Sequence, residues 1–173
     1  MLPWHDRPRE EANLFNPAFC GALISEFTNE FYRARKKGPH FVLVFCALPI
    51  ALHPTTCRSL PHSIRTSLYS WIEENPEALV GLAERARNLV PYIQEALCFL
   101  MNHGGMTINE RAELDLGVSR ILLSRRVMQD LTPAMNETIH AARLLGRWFA
   151  AAGSAAVVLS SWGLRADPKS LDS

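Results

Sequence analysis

His53, Cys57 and His62 lie close together in the chain, with Ser59, Ser63 and Ser67 interleaved. Two chemistries use such residues. A zinc site would draw on the imidazoles and the thiol. Structural zinc sites, however, use four ligands in tightly spaced pairs, and no second pair is visible here. A hydrolase would draw on a serine activated by a histidine, but the chain has neither a GxSxG elbow nor a glycine-rich oxyanion loop. Hydroxyls between helices mostly cap and turn, and that is how we read these serines. No Walker loop or GxGxxG run offers a nucleotide site. Glu73–Glu74 and Glu110, Glu113 and Asp115 are carboxylates without partnered bases, read as solvated faces. We assign no catalytic, cofactor-binding or metal-ligating residue and expect no enzyme. Zinc bound to the purified protein would revive a small metal-dependent enzyme around His53 and His62.

The remaining polar signals concern contact. Arg58 and Arg65 flank the proline-rich turn, and Arg85 and Arg87 lie on the following helix. That pair is placed to touch DNA phosphates or guanine edges if the helix faces a duplex. Glu84 adjoins it, and Glu73, Glu74 and Glu77 lie nearby and would repel a duplex. Intramolecular pairs or a protein partner are therefore the competing readings. Near the end of the chain Trp148 and Trp162 accompany Gly146–Arg147 and Gly163–Leu164–Arg165. Trp148 is expected in the core. Trp162 is balanced between core and surface, because Trp and Arg are enriched at interface hot spots. Arg58, Arg65, Arg147, Trp162 and Arg165 are the partner-interface candidates.

Composition narrows the class. The 173 residues are 48% hydrophobic and 20% charged, with 18 Lys plus Arg against 17 Asp plus Glu for a net charge of +1. Such a length can bury a core without metals or disulfides. A dedicated nucleic-acid binder carries a strong basic excess, so any DNA contact is expected to be local or shared with another subunit. Cys20, Cys46, Cys57 and Cys98 show no CxxC spacing and fit a reducing compartment. Met1–Glu11 lacks the apolar core of a signal peptide, and the longest apolar runs are too short to cross a bilayer. The expectation is a cytoplasmic protein.

These residues must be positioned by elements that are mostly helical. Asn16–Pro17 caps and opens a helix carrying Phe19, Leu23, Phe27 and Phe31 at helical spacing, and Gly38–Pro39 stops it after Arg33, Arg35, Lys36 and Lys37. Phe41–Leu48 is continuously apolar. Periodicity does not choose between strand and short helix, and we read it as a strand. Pro49, Pro54 and Pro61 force turns. Ser63 or Thr66 caps a short helix through Trp71. Asn75–Pro76 opens a longer one to about Met101, with Pro91 expected to kink or split it. Met106–Leu116 reads as a hairpin and Val118–Leu131 as a helix. Thr132–Pro133 opens another helix, and Gly153–Ser154 ends it and caps a last one, Ala155–Trp162. The fold class is mainly α with a small β component: a winged helix-turn-helix-like core over 14–117 and a helical extension over 118–166. Together they form one domain between a flexible N-terminus, 1–13, and a tail, 167–173.

Five blocks carry a resemblance: LFNPAF (Leu14–Phe19), LPIALHPTTCRSLP (Leu48–Pro61), TSLYSWIEENP (Thr66–Pro76), AERARNLVPYIQEAL (Ala83–Leu97) and LGRWFAAAGSAAVVLSSWGLRADP (Leu145–Pro168). In these the chain resembles the middle component of three-component ABC systems, bacterial conflict systems that overlap with Lamassu-type anti-phage defence. The resemblance implies a non-enzymatic adaptor without cofactor. It would link an SMC-like ABC ATPase that senses DNA to an effector subunit, a nuclease, and control that effector, with DNA met through the complex. Pro54–Cys57 departs from the more basic turn expected there, so this turn receives no phosphate role. The competing expectation is a stand-alone winged-helix DNA-binding regulator, which would be a homodimer relying on Arg85 and Arg87.

Overall fold

The computed structural model describes residues 15–164, so the expectations for 1–13, for 167–173 and for Arg165 lie outside the described residues. Helix α1, Pro17–Arg35, begins as expected: Asn16 accepts the Ala18 N–H at 2.8 Å, and Pro17 fills the first helical position. It ends at Lys36, whose left-handed backbone (φ 60°) returns an N–H to Tyr32, with Arg33 and Arg35 beside the negative end of the helix dipole.

The expected strand at Phe41–Leu48 is not one. A 3-10 turn, Phe41–Leu43, runs into helix α2, Val44–Ala51, with Pro49 inside it. Strand pairing is confined to a single bridge, His40 to Glu113. Burial explains the difference. Six consecutive residues, Cys46–Ala51, are buried on every side, and a strand there would need a neighbour for each backbone N–H and C=O, whereas a helix satisfies them internally. The hairpin that could have supplied the neighbour is only three residues long per strand.

Short elements follow. His53 accepts the Thr56 N–H at the start of α3, Pro54–Ser59. Ser67, rather than Ser63 or Thr66, caps α4, Leu68–Glu74. Asn75–Pro76 opens only a 3-10 turn, Pro76–Leu79, because the Asn75 amide is turned back onto the Trp71 carbonyl (2.8 Å). The long helix α5, Leu82–Asn102, starts after Gly81 (φ 68°) and runs unbroken through Pro91, burying Leu82, Ala86, Leu89, Ile93, Ala96, Leu97 and Leu100.

The hairpin is present: β1, Met106–Ile108, pairs antiparallel with β2, Leu114–Leu116, in the register Met106–Leu116. Asn109 Oδ1 fixes its turn by accepting the N–H groups of Arg111 and Glu113. Gly38 allows the chain before α2 to lie against β2, since a Cβ there would stand 2.0 Å from the Leu114 carbonyl oxygen.

Val118–Leu131 differs from its expected helix. Only α6, Arg125–Gln129, is helical; residues 118–124 form an irregular strap. Its main chain is claimed by distant side chains, as described below. Thr132 then caps α7, Pro133–Ala152, and Ser154 caps α8, Ala155–Ser161, both where expected. The Leu164 N–H returns to Leu159 over Gly163 (φ 68°), closing α8.

The architecture is thus mainly α with one small antiparallel sheet. Helices α1, α2, α5 and α7 enclose the main core, and Trp71, Trp148 and Trp162 join α4 and α8 to it. Ring centroids lie 5.6 Å apart for Trp71–Trp148 and 6.0 Å for Trp71–Trp162. Among the described residues no single helix is long and apolar enough to cross a membrane.

Candidate functional site

An open cleft of about 1130 Å³ lies between α1 and α7, walled by α3 with its following turn and by the strap leading into α6. Its floor depends on how α1 and α7 meet. Gly146 on α7 lies so close to α1 that a Cβ would stand 2.4 Å from the Phe27 carbonyl oxygen and 3.0 Å from Glu30 Cβ. Beside this contact Glu26 pairs with Arg143 and Glu30 with Arg147. Both pairs step four residues along each helix in the same sense, so α1 and α7 run parallel and the pairs form two rungs.

The first rung is nearly closed to water: the Glu26 side chain is 3% exposed and that of Arg143 23%. Arg143 Nε donates to Glu26 Oε2 at 2.7 Å and its Nη2 donates to Oε1 at 2.9 Å, a bidentate fork. The bonds from Glu26 hold the Arg143 guanidinium above its ordinary pKa. The rung also grips the strap. The Leu123 N–H donates to Glu26 Oε1 (2.7 Å), and the Leu123 carbonyl accepts from Arg143 Nη2 (3.0 Å). Those two bonds, absent from any local pattern, fasten the strap to α1 and α7. In the second rung Arg147 donates to Glu30 Oε2 (2.7 Å), while Arg33, with its side chain 71% exposed, donates to Oε1 (3.0 Å).

Arg58 and Arg147, both partner-interface candidates, come together in this cleft. Arg58 reaches Glu137 at 3.4 Å, with both side chains more than half exposed; such a pair is worth about 0–1 kcal/mol and is readily exchanged. Arg65 is exposed in the turn that supplies Pro61 and His62 to the rim, and that turn is anchored where Trp148 Nε1 donates to the Thr66 carbonyl (2.9 Å). Trp162 is elsewhere. It is 1% exposed in the core, so its ring presents no surface to a partner.

The possible DNA contacts do not act as a pair. Arg87 is exposed. Arg85 folds back to donate to the Val80 carbonyl (2.7 Å), and its Nε and Nη2 are buried without a partner, with burial lowering its pKa.

Nor do the residues nearest to metal or nucleophile chemistry converge. Among the described residues no three potential ligands gather. His53 Nδ1 is occupied by Thr56, and Ser59 Oγ donates to the Thr56 carbonyl. Cys57 lines the cleft as a thiol, its pKa raised by burial and by Glu137.

Inspection of the sequence missed Glu26, Glu30 and Arg143. Their signal was available: two glutamates four apart in a helix whose core face is apolar, and two arginines four apart in another. A carboxylate on an apolar face needs a cation, because an unpaired buried charge is costly.

The chain matches, over residues 4–166, the family model described as ABC-three component (ABC-3C) system Middle Component 3. No curated protein and no solved structure matches it.

Proposed function

The chain belongs to the family of ABC-three component (ABC-3C) system Middle Component 3, and from that premise we propose that it is a non-enzymatic adaptor. Membership makes it one component of a multi-subunit system, hence a protein with partners. In our reading those partners are an SMC-like ABC ATPase that senses DNA and an effector, a nuclease, whose activity the adaptor controls. The setting is cytoplasmic anti-phage defence of the Lamassu type.

The observation that carries the reading is the cleft. It exceeds the usual range of small-molecule sites, about 300–1,000 Å³. It is open, and its floor is a pre-paired salt-bridge ladder rather than a set of free acids and bases. Such a surface receives another chain more readily than it performs a reaction.

The test is co-expression of all three components with a tag on this chain, followed by purification with and without DNase. The expected result is a stoichiometric complex with both partners that survives DNase. Recovery of the chain alone, or of partners only while DNA remains, would overturn the adaptor role. It would favour a DNA-binding regulator instead.

A further inference from the structure

The cleft has a chemical polarity that specifies its occupant. Among the described residues five arginines face three glutamates around it, in a chain whose overall charge is only +1. Two of those glutamates are spent. Glu26 is enclosed by Arg143 and the Leu123 N–H, and Glu30 is shared by Arg147 and Arg33. The third, Glu137, is held only by the long, exposed contact to Arg58. Arg125 at the start of α6 is exposed and has no ion pair among the described residues. Around the opening Arg125 is thus unpaired among the described residues, while Arg33 and Arg58 carry exposed heads on surface ion pairs, to Glu30 and Glu137, that a partner carboxylate can exchange.

The strap adds an apolar component. Leu122 is 38% exposed, and Leu123 and Met128, both half-buried, lie beside it on the strap side of the cleft. An apolar wall beside an excess of guanidiniums suits a ligand that is acidic on one face and apolar on the other. A nucleic-acid backbone fits less well, because it offers nothing to the aliphatic wall.

We infer that this cleft is the docking site for an acidic, amphipathic segment of one partner component. Its carboxylates meet Arg33, Arg58 and Arg125, and its apolar side chains lie on Leu122 and Met128. Arg58 exchanges Glu137 for a partner carboxylate on docking. This assignment rests on the adaptor reading and names the surface through which it operates.

The experiment compares three versions of the co-expressed complex: wild type, Arg58→Glu/Arg125→Glu, and Arg58→Lys/Arg125→Lys. Each version of the chain is first purified alone and its melting temperature measured, which separates loss of docking from loss of folding. Arg58→Gln/Arg125→Gln replaces the reversal variant should that one melt early. The expected result is that the reversal weakens association with one partner at least tenfold and leaves the other bound, with an unchanged melting temperature. The lysine variant should retain most binding, and raising salt should weaken wild type more than the reversal variant. A complex that forms equally well with the reversal variant overturns the cleft assignment while leaving the adaptor role intact. No complex in wild type overturns both. Association that disappears with DNase shows the cleft serving nucleic acid, and overturns the assignment as well.

Discussion

Glu26 is a charged residue on the buried side of a helix, tolerated because both carboxylate oxygens accept hydrogen bonds: two from Arg143 and one from the Leu123 N–H. Removing one partner of such a pair strands the other in a poorly solvated place. Glu26→Ala should therefore cost about 3–5 kcal/mol. Glu26→Leu/Arg143→Leu, which leaves no orphan charge, should be more stable than either single alanine variant. Urea unfolding decides, and a loss under about 1 kcal/mol for Glu26→Ala would show that the rung contributes little. Thr132 and Ser154 accept from the backbone at helix starts as expected; Ser67 does so in place of Ser63 or Thr66, and Ser124 does so without having been assigned. Their role was legible because capping needs only neighbours in sequence. The ladder was not legible, because Glu26 and Arg143 are brought together only by packing.

At the scale of elements, the contact between α1 and α7 decides the shape of the cleft. Gly146 permits it. Alanine would ordinarily raise helix stability by about 1 kcal/mol over glycine. Here the added methyl would press on the Phe27 carbonyl, which is backbone and cannot swing away. We expect Gly146→Ala to destabilise by about 1–3 kcal/mol net, as overpacking does, and to loosen both rungs. Equilibrium unfolding measures this; a stabilised variant would mean that the helices separate at no cost. The elements read correctly from sequence, α1, α7, α8 and the hairpin, carry local start and stop signals. Those misread, α2 and the strap, are set by surroundings. The apolar run became a helix because no strand lies beside it, and the strap stayed non-helical because Glu26 and Arg143 hold its backbone.

For the whole molecule, two histidines make stability depend on pH. His40 and His53 each accept a backbone N–H at Nδ1, from Val42 and from Thr56, both at 3.3 Å. Both have pKa values lowered chiefly by burial; Arg85 adds to the lowering at His53, while Glu113 opposes it at His40. The folded pKa values thus lie below the unfolded value of about 6.5. Their contribution is fully present above that pH and is lost as pH falls towards the folded values, because protonating Nδ1 removes the acceptor. Urea midpoints should drop between pH 7.5 and 5.5, and His40→Asn/His53→Asn, which caps without titrating, should flatten that drop. An equal drop in the double variant would assign it to other groups. The sequence alone determined the mainly helical class, most helix starts, the hairpin and the family, since these rest on spacing, caps and motif blocks read along one chain. The tertiary structure decided which charges neutralise one another, that Trp162 is core and Arg85 enclosed, and that Arg58 and Arg147 share a cleft. Those outcomes depend on burial and on distances between residues far apart in sequence, which no local pattern encodes.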